Sequence, residues 1–180
     1  IFMKNINHPN ELIYFLSNIS EYSFFFDTSS YQLCPFFSEI FQELINLDSK
    51  ITLQYQNNST SCFLYFGKFS WGNENGIKYF ENIIKITQEI YPSIQWFTKL
   101  NILTFFKSAC FKNIFKFTKY IYKNLLNNIL PLFIKEDKIE ILNETIKLQK
   151  ILISQIYFDN YEEFAYETIN NLKGQNIQYG

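Results

Sequence analysis

The chain has 180 residues, 47% apolar and 20% aromatic, with a formal net charge of −1. A chain of this size buries about two thirds of its unfolded surface, so a single domain spanning 1–180 needs no disulfide or metal to hold it. All 16 basic residues are Lys; without guanidinium forks for phosphate, carboxylate or guanine edges, only point-charge contacts remain and sequence-specific nucleic-acid reading is disfavoured.

Cys34, Cys62 and Cys110 are widely spaced in apolar surroundings. They fit neither a disulfide framework nor a zinc pattern, and point to a cytoplasmic or other reducing compartment. No run reaches the roughly eighteen uncharged apolar residues of a membrane span. The 21 Phe and 13 Tyr exceed what a small domain readily hides, so an interface is one explanation for them. The bias of an AT-rich genome toward Phe, Tyr, Ile, Asn and Lys is the other.

In chain order, Pro9 near a first turn opens a helix to about Ile19, with Leu12, Leu16 and Ile19 inward. His8, the single histidine, stands just before it as a turn residue. Short aromatic runs at 22–26 and 31–34 flank Asp27-Thr28-Ser29-Ser30 as a candidate hairpin. Pro35 opens a second helix to about Asn46, with Phe37, Ile40, Phe41 and Leu44 as its stripe. Residues 51–56 alternate, 57–60 read as a turn and 61–66 continue as an apolar run, which predicts a strand pair. Gly67 to Gly76 is a turn-rich connector carrying Trp71, either a lid over the core or an exposed anchor. Trp71-Gly72 resembles the Trp-Gly of a signature in the Bcl-2 family, which includes viral members of similar length. That family's next residue is Arg where this chain has Asn73, and its Leu-x-x-x-x-Asp segment has no counterpart, so no residue role carries over.

A third helix covers about Gly76 to Ile90, with Ile77, Phe80, Ile83, Ile84 and Thr87 inward, ended by Pro92. Trp96 packs in a short extended or turn segment after it. From Ile90 to Lys135 there are seven Lys and no acidic residue. Within that stretch, 107–129 reads as a helix with Lys112, Lys116, Lys119 and Lys123 within about 60° of one another and Phe111, Ile114, Thr118, Ile121, Leu125 and Ile129 opposite. The alternative is two helices broken near Ser108. A fifth helix runs from about Glu136 to Tyr157, acidic first and basic later as the helix dipole favours. A sixth starts at Asp159 or Asn160, where capping-box spacing occurs, and ends at Gly174.

These patterns predict an α+β fold: a mainly helical domain of five or six helices with a small antiparallel sheet or hairpins in the first 70 residues. All-α is the alternative, with 22–26 and 61–66 as buried helical segments. No cofactor or metal site is expected, since one His and three scattered Cys supply neither a zinc cluster nor a local nucleophile–base pair. The functional expectation is a non-enzymatic protein-protein interaction protein: an adaptor, inhibitor or subunit. Trp71, Trp96, Phe115 and Tyr120 would act as aromatic anchors, with Lys112, Lys116, Lys119 and Lys123 steering an acidic partner. The lysines have two plainer readings, a solvated face or pairing with the acidic segments at 136–144 and 159–167. Two alternatives carry other functions: peripheral binding of the basic amphipathic helix to an anionic membrane or a nucleic-acid backbone, or a small enzyme using carboxylates. A homo-oligomer is compatible with each.

Overall fold

The computed structural model describes residues 8–23, 37–69, 71, 74–113 and 117–175; within these, 19–23, 74–75 and 158–175 are described as backbone only. Among the described residues every regular element is helical: α1 Pro9–Ser23, α2 Phe37–Asp48, α3 Gln56–Gly67, α4 Glu74–Ile90, α5 Trp96–Lys112, α6 Lys119–Asn128, α7 Leu130–Ile134 and α8 Ile139–Gln175. Single 3₁₀ turns at Leu53–Tyr55 and Tyr91–Ser93 lead into α3 and out of α4.

Two helices follow directly from apolar spacing. In α2, Phe37, Phe41, Leu44 and Ile45 are buried, and Glu39 in the first turn complements the helix dipole. In α4, Phe80, Ile83 and Ile84 are buried. Thr87 joins them because its hydroxyl donates to the Ile83 carbonyl at 2.8 Å, leaving no polar group unmet.

Helix α5 is the axis of the fold. Ile102, Leu103, Phe105, Phe106, Ala109 and Cys110 are all fully buried, so apolar contact surrounds most of its circumference, as expected of a central helix. Helix α3 packs along one side of it with α1 outside α3; α8 packs along another and also carries α6 and α7. The α3–α5 approach is very close. A Cβ on Gly67 would collide with the Phe105 carbonyl oxygen and lie 2.8 Å from the Ser108 Cβ, so only glycine fits there. Trp71 caps this packing, with ring centroids 4.8 Å from Phe37, 5.4 Å from Phe66, 5.5 Å from Phe80 and 5.7 Å from Phe105. Its indole N–H donates to the Gly67 carbonyl at 3.1 Å.

The expected α+β class is overturned: no strand occurs among the described residues, and the all-α alternative describes the chain. The strand pair at 51–66 is instead a 3₁₀ turn and α3. Its supposed turn, Asn57-Asn58-Ser59-Thr60, is the first turns of that helix. Those side chains find partners distant in sequence: Asn58 donates to Ser17 Oγ at 3.0 Å, Ser59 to Asp48 Oδ1 at 2.5 Å and Thr60 to Asn101 Oδ1 at 2.8 Å. Of the hairpin at 22–26 and 31–34, Tyr22 and Ser23 close α1, and the remainder lies outside the described residues. The expected fifth and sixth helices are one, because α8 runs through Asp159 without a break to Gln175. At 37 residues it is about 55 Å long.

Candidate functional site

The basic amphipathic helix over 107–129 is not present. Helix α5 ends at Lys112 and α6 begins at Lys119. The Asn113 side-chain amide donates to the Ala109 carbonyl at 2.9 Å and the Phe69 carbonyl at 3.1 Å, tying down the C-terminal end of α5 where continuation was expected. Lys112 therefore belongs to α5, Lys119 and Lys123 to α6, and Lys116 lies outside the described residues. The apolar face divides as well: Ile121, Leu125 and Ile129 are buried, but Phe111 is 70% exposed. Without that helix, peripheral binding of it to a membrane or nucleic acid has no structural basis. Among the described residues no helix is long and apolar enough to cross a membrane.

The aromatic anchors are overturned for a related reason. Trp71 is 0% exposed, and Phe117 and Tyr122 are buried. Among the described residues many rings pack on one another in the core, while Tyr14, Phe15, Phe111 and Tyr157 are exposed. Trp96 is 45% and Tyr120 64% exposed, at the starts of α5 and α6, and they form no aromatic patch. Phe115 lies outside the described residues. An interaction surface of aromatic anchors beside a lysine patch is thus not what this fold presents.

The carboxylates also depart from an acid–base arrangement. Glu136 accepts from Lys99 at 2.7 Å and from the Tyr91 hydroxyl at 2.8 Å. Burial pushes the Glu136 carboxyl up, but those hydrogen bonds and the Lys99 charge outweigh it and hold the group below its ordinary range. The same glutamate, with burial, pushes the Tyr91 hydroxyl up. Glu144 behaves like Glu136, burial raising it and Lys107 and Lys147 lowering it further. Both are ionised partners of lysine. No group of three His, Cys, Asp or Glu side chains suited to a metal occurs among the described residues. His8 is exposed ahead of α1, 3.8 Å from Glu11.

What the packing does create is a cleft of about 570 Å³ along α5, between α3 and α8. Its floor is one stripe of α5: Thr104, Lys107, Ser108 and Phe111, spaced i, i+3, i+4 and i+7. Leu64 and Lys68 form one wall, from α3 and its C-terminal cap; Lys147 and Ile151 of α8 form the other, and Lys112 stands at the end. Volumes of about 300–1,000 Å³ are usual for small-molecule sites.

The floor is polar in composition and apolar in character. Thr104 donates to the Leu100 carbonyl at 3.0 Å and Ser108 to the Leu64 carbonyl at 2.8 Å, so both hydroxyl protons are spent on backbone oxygens and their carbon faces turn to the cleft. Four lysines and no carboxylate line it. Lys methylenes can add apolar wall beneath their charged ends, and the Lys68 ammonium lies 4.9 Å from the centre of the Tyr65 ring. One helical turn before Lys147, Glu144 accepts from Lys107 on one carboxylate oxygen and from Lys147 on the other, the latter at 2.6 Å.

No family model, no curated protein and no solved structure matches this chain. The resemblance of Trp71-Gly72 therefore stands on those two residues alone.

Of this site, the sequence reading singled out only Lys112. The available signal was the i, i+3, i+4 spacing of Thr104, Lys107 and Ser108, a polar stripe among Ile102, Leu103, Phe105, Phe106, Ala109 and Cys110. Leu64, Lys68, Lys147 and Ile151 come from segments about 35 to 45 residues away and carry no local mark.

Proposed function

We propose that the protein is a non-catalytic binder of long-chain carboxylates, held in the cleft between α3, α5 and α8. The observation that carries this reading is the pairing of an apolar lining with four lysines and no acid. An apolar body gains from leaving water at about 25 cal/mol per Å², and a negative head gains from the surrounding ammonium groups. With no Arg in the chain, any head group meets single-point ammonium contacts, carboxylate and phosphate alike; the singly charged carboxylate is the better match to a cleft where Glu144 already holds two of the four lysines. Burial, then the Asp48 charge, push Cys62 up to about 12, so neither ready oxidation nor metal binding is favoured there.

Titration calorimetry with decanoate, below its micelle concentration, tests the reading. One saturable site per chain is expected, lost in Leu64→Glu, whose new carboxylate faces the cleft. Decyl phosphate binding more tightly than decanoate would transfer the site to phosphate ligands. Absence of saturable decanoate binding to the intact chain would end the proposal.

A further inference from the structure

We infer that Glu144 sets the anion affinity of this cleft by acting as a built-in competitor for its lysines, an inference that rests on the carboxylate-binding reading above. Lys107 on α5 and Lys147 on α8 both line the cleft, and each donates to a different oxygen of the same Glu144 carboxylate. Glu144 itself is not among the lining residues; it lies one helical turn before Lys147, on the same side of α8 as Lys147 and Ile151. Its side chain is about three-quarters buried, so water screens its charge only partly.

The geometry has two consequences. Glu144 fixes the Lys107 and Lys147 ammonium groups across the α5–α8 seam, which pre-orders half of the cationic rim and lowers the entropy cost of gathering it around a ligand. It also repels any second carboxylate and shares the donors that carboxylate needs. An entering acid must draw ammonium protons toward itself at the expense of the bonds to Glu144. A neutral ligand of the same chain length meets neither effect. Glu144 is therefore a residue that discriminates by head-group charge without lining the pocket.

The test compares decanoate with 1-decanol, by calorimetry, on the intact chain and on Glu144→Gln. Removing one negative charge within several ångströms of the head group is expected to tighten decanoate about tenfold and leave decanol unchanged. If Glu144 only held α5 to α8, both ligands would change together, and that result overturns the inference. Equal decanoate affinity in the two proteins overturns it while leaving the carboxylate-binding reading intact. Binding of neither ligand to the unaltered chain removes both. A second measurement needs no variant: followed by carbon NMR, the Glu144 carboxyl should titrate at higher pH with the cleft saturated by decanoate but not with decanol. No difference between the two ligands would likewise overturn the assignment.

Discussion

The Ser59 hydroxyl donates to the Asp48 carboxylate at 2.5 Å, in a place where both residues are buried. Asn101 adds a second hydrogen bond to the same oxygen at 2.9 Å, while Asp48 Oδ2 makes no well-aligned hydrogen bond among the described residues, with the Thr98 side chain nearby. A carboxylate at the end of α2 thus joins α3 and α5, incompletely satisfied.

Its pH dependence follows. Burial raises the Asp48 carboxyl above its ordinary value, against the lowering effect of Ser59, Thr98 and Asn101. A raised folded-state value means that folding favours the protonated form, so this stabilisation is complete below the unfolded value and is lost as pH rises through the folded one. Asp48→Asn keeps an acceptor for Ser59 and Asn101 and removes the charge. It is expected to stabilise the protein by on the order of 1 kcal/mol at pH 7.5 and by less at pH 4, measured by urea denaturation at both. A variant less stable than the parent at pH 7.5 would show that the charged form is the favoured one.

The two lysine-bonded glutamates have the opposite sign. Glu136 and Glu144 are held below their ordinary range, so their stabilisation is present above the unfolded value and is lost as pH falls through the folded one. Glu136→Gln should cost about 1 kcal/mol at pH 7 and little near pH 3. Thermal unfolding across pH 3–7 reads this as a flatter profile in the variant.

Gly67→Ala places a methyl against the Phe105 carbonyl and the Ser108 side chain. Although alanine is the better helix former, separating α3 from α5 should outweigh that and destabilise by about 1–3 kcal/mol. A more stable variant in a chemical melt would mean that these helices slide apart freely.

The two tryptophans should report different surroundings. In Trp96→Phe, the remaining Trp71 sits among four rings and out of solvent, so emission is expected at short wavelength with little quenching by iodide. In Trp71→Phe, the half-exposed Trp96 should emit further to the red and quench readily. Trp71→Ala should cost about 3–5 kcal/mol.

Thiol chemistry offers a further check. Cys62 and Cys110 are free and buried, and burial pushes the Cys110 thiol up strongly. In Cys34→Ser, which leaves these two alone, an aromatic disulfide reagent should react only as fast as the chain unfolds. Rapid labelling of the native protein would contradict the packing of α3 and α5.

The sequence by itself determined the elements whose apolar residues recur at helical spacing. Phe37, Phe41 and Leu44 in α2 and Phe80, Ile83, Ile84 and Thr87 in α4 turn inward as their spacing requires. The stop before Pro92 was equally legible, because proline restricts the residue preceding it. The acidic pairing read for Lys112, Lys116, Lys119 and Lys123 falls instead on two lysines outside that set, Lys99 with Glu136 and Lys107 with Glu144. The tertiary structure decided the rest. Asn58, Ser59 and Thr60 look like a turn because their partners, Ser17, Asp48 and Asn101, are 11 to 41 residues away; local pattern carries no information about a hydrogen bond formed across the core. Phe and Tyr content could not distinguish rings on the surface from rings packed on one another. The cleft belongs wholly to this second category, since it exists only where α3 and α8 flank one stripe of α5 and leave it uncovered.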